Sequence, residues 1–527
     1  MNIAIVQTNV ITADFSGNAQ KIIDAAMKAY AEGADVVVFP ELVLSGGAAQ
    51  DLYLDQDFLD CSARTLQELT QACPQVSCIV GAVMQQGQHL ENAAYLLQDG
   101  KVELLTGKAH LGYEEQRYFK SGKGLITCTI KGKPLALAIG EDAYATRFID
   151  SPVDAVLILH NQAFSYITHP SRHSKAAALA QKNNLPVLQI SMVGGYGDTL
   201  YAGSSMVFDA QSTMIDQAPA FEEAMRFYQL EGKEIKPLQT SNDRAVSITE
   251  ILHDALLMGI RDFFAKQGFT QAIVGLSGGL DSALVASLAC AALGSENVHC
   301  ILMPSQYSTE HSVSDAQSLV DNLGCKQTIL PIQPVFESFK QTLAELFKGL
   351  PFGLAEENLQ ARTRGSLIMA ISNKLGGIAL NTSNKSEAAM GYGTLYGDLV
   401  GALSVIGDVY KTQAYDIARF INREQIIIPE HILTKAPSAE LRPGQKDSDS
   451  LPEYDLLDPI LFQYVDLRKS VSEICKMGYD RALVLKITQA VDRMEFKRHQ
   501  TPPVLCVSSR PFGKGLKLPE VKRSFLV

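Results

Sequence analysis

The feature that most constrains the fold is an apolar strand that passes through a glycine turn into a helix of small residues. It is QAIVGLSGGLDSALVASLACAAL, residues 271–293. Two further strand-like runs, VHCILMP and GGIALN, follow it and alternate with stretches whose apolar residues have helical spacing. Repeated alternation of strand and helix predicts a parallel, doubly wound sheet, so this half of the chain is expected to be an α/β domain.

The glycine turn has the composition of a phosphate-binding loop. Glycines let the backbone approach a phosphate, and the N-terminus of the following helix offers free N–H groups and the positive end of the helix dipole. A bare carboxylate repels phosphate, so we interpret Asp281 as a Mg²⁺ ligand that bridges to the phosphates. The GxxxxGK[ST] pattern does not occur, which excludes a Walker-type loop. The predicted nucleotide-binding positions are Gly275, Ser277, Gly278, Gly279, Asp281 and Ser282.

SGGLDS resembles the signature of the ATP pyrophosphatases, which split ATP between its α and β phosphates and activate an acceptor as its adenylate. NAD, GMP and asparagine synthetases and tRNA-thiolating enzymes share this loop, so the loop alone does not choose among them. Later segments resemble NAD synthetases in particular, in the expected order, over nearly all of residues 250–527. They are ENLQARTR (357–364), TSNKSE (382–387), GYGTLYGD (391–398), DVYKT (408–412), PSAELRP (437–443) and EFKR (495–498).

The resemblance implies a Rossmann-like ATP pyrophosphatase domain and assigns roles to residues of these segments. Thr382, Lys411 and Ser438 would bind ATP, and Glu387 would join Asp281 as a Mg²⁺ ligand. The residues implied to bind deamido-NAD are Asn358, Arg364, Glu387, Asp398 and Lys497. The implied reaction is adenylation of the nicotinate carboxylate by ATP and attack of ammonia on the acyl-adenylate, with NAD, AMP and pyrophosphate as products.

The first half of the chain resembles the nitrilase-like glutaminase domain of glutamine-dependent NAD synthetases, which implies an αββα sandwich. In that family a Glu is the general base, a Lys stabilises the oxyanion, and a Cys attacks the glutamine amide. FPEL supplies Glu41 and GKAHL supplies Lys108. In LAIGED, Gly140 stands where the family has its Cys, and glycine has no side chain with which to attack.

Two further departures support loss of the glutaminase. The segment GYEEQ (112–116) is shorter than the family's gate by roughly four residues. The stretch NQAFS (161–165) replaces the family's Asn-Ala-Ser, without its later lysine. We therefore predict a pseudo-glutaminase domain and free ammonia as the nitrogen donor, with glutamine doubtful. One alternative is glutamine hydrolysis by an unrecognised nucleophile, for which Cys128 is a weak candidate; another is a catalytically silent nucleotide-binding regulatory protein.

Composition sets the remaining expectations. A net charge of −11 argues against nucleic-acid binding, and nine scattered cysteines without a CxxC indicate neither a disulfide framework nor a zinc site. The opening MNIAIVQTNV is typical of a strand rather than a signal peptide, so we expect a cytoplasmic protein that does not bind membranes. Family resemblance implies a homo-oligomer. The polar segment GKEIKPLQTSND (232–243) predicts domains at 1–235 and 247–527 with a linker at 236–246, and the polar residues 442–455 predict a mobile loop.

Overall fold

The computed structural model of the chain describes residues 1–47, 49–145, 149, 152–239 and 246–521. It divides into two compact units, Met1–Val246 and Ser247–Val527. The last strand of the first unit is Glu234–Pro237, so Lys236 and Pro237 of the predicted linker belong to a sheet. A proline fits there because the strand lies at the sheet edge, where one face of its backbone needs no partner. Linker residues 240–245 lie outside the described residues.

The strands of the first unit coincide with the apolar runs of the sequence, and several are buried along their whole length. Its helices are α1 (Phe15–Ala31), α2 (Gln56–Ala72), α3 (Asp142–Ala145) and α4 (His169–Asn183). Its strands are β1 (Asn2–Gln7), β2 (Val36–Val38), β3 (Ser77–Gln86), β4 (His89–Gln98), β5 (Lys101–Gly107), β6 (Ile126–Ile130), β7 (Lys133–Ile139), β8 (Ala155–His160), β9 (Val187–Ser191), β10 (Val193–Tyr196), β11 (Thr199–Ala202), β12 (Met206–Phe208), β13 (Met214–Gln217), β14 (Ala224–Glu231) and β15 (Glu234–Pro237).

Two sheets form the centre of this unit. One has the order β15-β14-β1-β2-β3-β4-β5 and the other β13-β12-β9-β8-β7-β6. Their facing sides share one core that includes Ile5, Ile79 and Leu137. Helices α1 and α2 pack on the outer side of the first sheet, and α3 and α4 pack on the outer side of the second. These four layers confirm the predicted αββα sandwich.

The second unit begins with a long helix that Ser247 caps at its N-terminus. Its strands are β16 (Ala272–Gly275), β17 (Val298–Leu302), β18 (Lys326–Ile329), β19 (Ile378–Asn381) and β20 (Leu403–Ser404). Its helices are α5 (Ile248–Gln267), α6 (Leu280–Leu293), α7 (Glu310–Leu323), α8 (Gln333–Leu343), α9 (Leu354–Leu375), α10 (Lys385–Met390), α11 (Lys411–Ile421), α12 (Glu430–Thr434), α13 (Tyr454–Leu461), α14 (Val471–Lys476), α15 (Arg481–Arg493) and α16 (Glu495–Arg498).

The sheet of the second unit is parallel throughout, in the order β18-β17-β16-β19-β20. The chain therefore winds from β16 outward to β18 on one side and then returns to β19 on the other, which confirms the predicted doubly wound sheet. The reversal between β16 and β19 opens a crevice beyond the carboxyl ends of these strands, where sheets of this kind bind ligands. The glycine turn follows β16 directly and therefore lies at this crevice.

A hydrophobic core in this unit consists mainly of side chains from the helices α10, α13, α14 and α15. It includes Ala389, which anchors the short helix α10 beside the crevice. The segment 442–455, predicted to be a mobile loop, contributes buried side chains at Asp447, Leu451 and Tyr454, so part of it packs against the unit. Among the helices of the described ranges, none is long and apolar enough to cross a membrane.

Candidate active site

The predicted nucleotide and deamido-NAD residues meet at one cavity of about 470 Å³ in the crevice of the second unit. Gly278 does not line it. The lining contains Gly275, Ser277, Gly279, Asp281, Ser282, Asn358, Arg364, Thr382, Glu387, Asp398, Lys411, Ser438 and Lys497. Seven separate segments of the sequence thus converge on one site.

The glycine turn keeps its shape through its own serines. The Ser277 and Ser282 hydroxyls lie 3.0 Å apart, and Ser282 Oγ donates to the Gly279 carbonyl oxygen at 3.1 Å. Gly278 has a φ of 78°, and a Cβ there would lie 2.1 Å from the carbonyl oxygen of Ser312, so the turn requires glycine at this position. Helix α6 then begins without a side-chain cap, which leaves its N-terminus available to an anion.

Charged groups face each other beside the turn. Lys411 Nζ contacts a carboxylate oxygen of Asp281 and lies 4.0 Å from Glu387 Oε1. Burial alone would lower the pKa of Lys411, but Asp281 and Glu387 outweigh it, so the ammonium pKa is raised. Burial, reinforced by Asp281, raises the pKa of Glu387 well above its ordinary value. The site therefore holds a permanent cation between two carboxylates.

The donor set suits a magnesium ion. Asp281 and Glu387 offer carboxylate oxygens at the cavity wall, and Mg²⁺ prefers one or two carboxylates combined with substrate phosphates and water. No group of three or more His, Cys, Asp or Glu side chains within the described ranges could hold a metal ion by itself. The two carboxylates therefore fit a cation that arrives with a phosphate ligand rather than one held by the protein alone.

Most of the residues predicted to bind deamido-NAD line the cavity next to residues 391–398, whereas Glu387 lies beside Lys411. Thr394 donates its hydroxyl to Asn358 Oδ1 at 2.8 Å and its backbone N–H to Asp398 Oδ1 at 2.7 Å. Lys497 donates to the carbonyl oxygens of Gly391 and Gly393, both at 2.8 Å. Arg364 is attached elsewhere, through Nε to the Met303 carbonyl oxygen at 3.0 Å, and burial lowers its pKa to about 10.

Ser438 lines the cavity, but its hydroxyl serves its own loop. Ser438 Oγ donates to the Gln445 carbonyl oxygen at 2.6 Å and accepts the Glu440 N–H at 3.1 Å. Asp447 is a cavity residue that the sequence reasoning missed, because it lies in the segment interpreted as a loop. The Tyr392 and Tyr454 hydroxyls donate to it at 3.2 and 3.0 Å, and burial raises its pKa. A carboxylate close after the PSAELRP motif was the only signal for it.

The three predicted glutaminase positions also come together, at strand ends of the first unit. Glu41 follows β2, Lys108 follows β5 and Gly140 follows β7. Lys108 Nζ donates to Glu41 Oε1 at 2.7 Å and to Glu115 Oε1 at 2.8 Å. Asn92 donates to Glu41 Oε1 at 2.7 Å. Sequence reasoning missed Glu115 and Asn92, although Glu115 lies in the shortened GYEEQ segment.

Gly140 lies against this ion cluster. A Cβ at this position would lie 3.1 Å from Lys108 Cε and 3.6 Å from Glu41 Oε2. Its φ of 56° is in the left-handed region, which a residue with a side chain adopts only with strain. Position 140 therefore points at the other two family positions, and Lys108 fills the space in front of it.

Burial and the opposite charges shift the pKa values in this cluster in opposing directions. Burial raises the pKa of Glu41, although Lys108 opposes the shift. Burial would lower the pKa of Lys108, yet the Glu41 and Glu115 carboxylates raise it overall. Both partners are thus stabilised by each other rather than by water.

Cys128 does not lie at this cluster. It pairs with Leu135 across β6 and β7, five residues before Gly140, a distance of roughly 16 Å along a strand. Burial raises the pKa of its thiol to about 11, so it is a poor nucleophile at neutral pH.

Comparisons with known proteins place both units. The NAD synthase family matches residues 252–501, and the carbon-nitrogen hydrolase family matches residues 2–239. A glutamine-dependent NAD(+) synthetase of Synechocystis is 41% identical, with 98% of each chain covered. The chain belongs to the two-domain NAD synthetase family. Another member, from Thermotoga maritima, is 36% identical over 99% of each chain.

Solved structures of this family agree with that assignment. The glutamine-dependent NAD+ synthetase of Acinetobacter baumannii, solved with ADP, has a TM-score of 0.78 and 31% identity, with 98% of each chain covered. The enzyme of Cytophaga hutchinsonii reaches a TM-score of 0.86 at 18% identity, over 99% of this chain and 98% of that one. At such low identity the second match supports the fold alone.

A buried histidine in the first unit of this NAD synthetase family member leads us to expect that stability depends on pH. His160 is buried, and its pKa is well below its ordinary value of 6.5, chiefly because burial disfavours the charged ring. Below pH 6.5 the unfolded chain therefore binds a proton at His160 that the folded chain does not bind. The free energy of unfolding consequently decreases as the pH falls below 6.5. The loss is about 1.4 kcal/mol per pH unit for one such histidine.

Urea unfolding followed by circular dichroism between pH 7 and pH 5 measures this effect. His160→Asn is expected to make the decline with acid shallower than in the wild type. The exposed His89 supplies the matched control, His89→Asn, which should keep the wild-type slope. Equal slopes in all three proteins would contradict the assignment to His160.

Proposed function

We propose that the chain is an NAD⁺ synthetase that amidates deamido-NAD with ATP through an adenylated intermediate, with AMP and pyrophosphate as further products. The observation that carries this proposal is the convergence of Asp281, Glu387 and Lys411 with the deamido-NAD positions on one cavity at the reversal of a parallel sheet. The relatives' names support the same reaction. The ADP bound to the Acinetobacter baumannii enzyme supports ATP as a substrate.

Different residues of the cavity would bind ATP, Mg²⁺ and deamido-NAD. The N-terminus of α6 and the ammonium of Lys411 would hold the phosphates of ATP, since both present positive charge to the cavity. Mg²⁺ held by Asp281 and Glu387 would supply further positive charge against the charge that develops on the departing pyrophosphate. Deamido-NAD would be oriented by Asn358, Arg364, Asp398 and Lys497, which line the same cavity. Such fixed charges lower the barrier without reorganising during the reaction.

We infer that ammonia, rather than glutamine, supplies the nitrogen. Gly140 faces Lys108 and Glu41 from the position in which the family has its nucleophile, and it has no side chain to form an acyl-enzyme. The relatives' names favour the alternative, a glutamine-hydrolysing enzyme, which would require another nucleophile at Glu41 and Lys108. The distance of Cys128 from Gly140 speaks against that thiol.

NAD formation by the full chain with ATP, Mg²⁺ and deamido-NAD tests both parts. Ammonium chloride should support turnover, whereas glutamine freed of ammonia should be slower by about 10³-fold or more, because loss of a nucleophile removes nearly all covalent catalysis. Comparable rates with both donors would reject ammonia dependence but keep the synthetase. Absence of turnover with either donor would reject the synthetase and favour a nucleotide-binding regulatory protein.

A further inference from the structure

Asn384 lies between the two carboxylates of the proposed cation site. It precedes α10, and its side chain is fully buried. Its Nδ2 donates to Asp281 Oδ1 at 3.1 Å, and its Oδ1 accepts the backbone N–H of Glu387 at 3.0 Å. The Asn384 backbone N–H donates to Glu387 Oε2 at 3.3 Å. One residue therefore contacts both acidic residues through three hydrogen bonds, two of which reach their carboxylates.

These bonds complement those of the lysine. Lys411 contacts Asp281 Oδ2, whereas Asn384 takes the other oxygen of the same carboxylate. Because each oxygen of the Asp281 carboxylate has its own partner, the rotation of this carboxylate is fixed. Glu387 is determined in the same way, because its backbone and its side chain both bond to Asn384. A carboxylate with a fixed orientation binds a cation with less loss of entropy.

The two residues that follow Asn384 form buried contacts that hold the backbone in place. Lys385 is fully buried and lies 2.9 Å from Asp408 and 3.0 Å from Asp466. Ser386 donates its hydroxyl to Asp458 at 2.6 Å. The backbone that carries Asn384 is therefore held by three distant acidic residues.

We propose that Asn384 is a positioning residue that holds Asp281 and Glu387 in the arrangement that receives Mg²⁺ with ATP. This role rests on the proposed function. A neutral amide suits it, since it orients Asp281 and Glu387 without adding a charge of its own beside Lys411. A lysine at position 384 would add repulsion against the dication, and a third carboxylate would add repulsion against the phosphates.

Asn384→Ser separates the two tasks of the side chain. Serine is a good N-cap, so it can still accept the Glu387 N–H, but it is too short to donate to Asp281. ATP binding to the full chain is measured by calorimetry with Mg²⁺ and again with EDTA. We expect the wild type to bind ATP more tightly with Mg²⁺, and this gain to fall about 10- to 100-fold in the variant, as for other groups that orient metal ligands. The Mg²⁺ concentration for half-maximal NAD formation should rise, with a smaller change in kcat at saturating Mg²⁺.

The controls distinguish positioning from folding. Ser470 caps α14 with the same box of bonds, so Ser470→Ala should lower the Tm and leave the Mg²⁺-dependent gain unchanged. Asn384→Gly, which also permits an N-cap, replaces the serine variant if that protein does not fold. A full Mg²⁺-dependent gain in either Asn384 variant would overturn the proposal for Asn384 alone. A wild type without any such gain would overturn the proposed cation site itself.

Discussion

Replacement of Lys411 by glutamine is expected to lower kcat/KM for ammonium-dependent NAD formation by about 10²–10³-fold, the usual effect of removing one group that stabilises transition-state charge. Lys411 is the cation that contacts Asp281 beside the glycine turn, and its ammonium remains charged because its two carboxylate neighbours raise its pKa. Glutamine keeps the length and some hydrogen bonding of lysine but removes the charge. Initial rates over a range of ATP concentrations, at saturating deamido-NAD and ammonium, measure the loss.

A stability measurement must accompany that rate. The Lys411 side chain is 3% exposed, and its removal leaves Asp281 and Glu387 without their common partner. Thermal unfolding shows whether the variant remains folded, and Lys374→Ala, at an exposed position in the last turn of α9, serves as a lysine control. Wild-type turnover by a folded Lys411→Gln protein would contradict a role for this ammonium in the reaction.

Replacement of Lys108 by methionine is expected to lower the free energy of unfolding by about 3–5 kcal/mol, because it leaves a buried carboxylate without its cation. The Glu41 side chain is 2% exposed and has Lys108 as its cation at 2.7 Å. Glu115 lies on the same ammonium, so the variant also brings two carboxylates together without compensation. Ammonium-dependent NAD formation should persist, since the proposed reaction takes place in the second unit.

Urea unfolding with the double variant Glu41→Gln/Lys108→Met sharpens this test. Removal of the Glu41 carboxylate together with the Lys108 ammonium should recover much of the lost free energy of unfolding, because no isolated charge then remains at position 41. Equal destabilisation in the single and double variants would show that packing, rather than charge, explains the effect. Loss of ammonium-dependent turnover in a folded single variant would contradict the assignment of this cluster to a relic site.

The parallel, doubly wound sheet and most members of the cavity could be predicted where the chemistry is local in the sequence. SGGLDS joins a strand to a helix, so it had to lie at a strand end, and the TSNKSE and DVYKT segments carried Glu387 and Lys411 with them. Asp447 could not be found this way, because its place depends on the Tyr392 and Tyr454 hydroxyls from other segments. The ion pair of Glu115 could not be predicted either, because it exists only once the fold brings Glu115 to Lys108.

One edge of the predicted linker overlaps a strand for a related reason. Lys236 and Pro237 have linker composition, but pairing of β15 with β14 places them in a sheet. The Ser438 hydroxyl shows the same limit at the level of a single atom. Its motif indicated a ligand contact, whereas the structure directs its proton to the Gln445 carbonyl oxygen of its own loop.

The backbone at Gly140 has a historical consequence. At a φ of 56°, with Lys108 Cε 3.1 Å from the place of a Cβ, a returning cysteine would meet a strained backbone and a displaced ammonium together. On the proposal made above, a Gly140→Cys substitution would have to move the end of the Lys108 side chain before its thiol could meet glutamine. On the same proposal, Glu41 and Lys108 would be retained because each is the counter-ion of the other, so that selection for folding alone would preserve both residues.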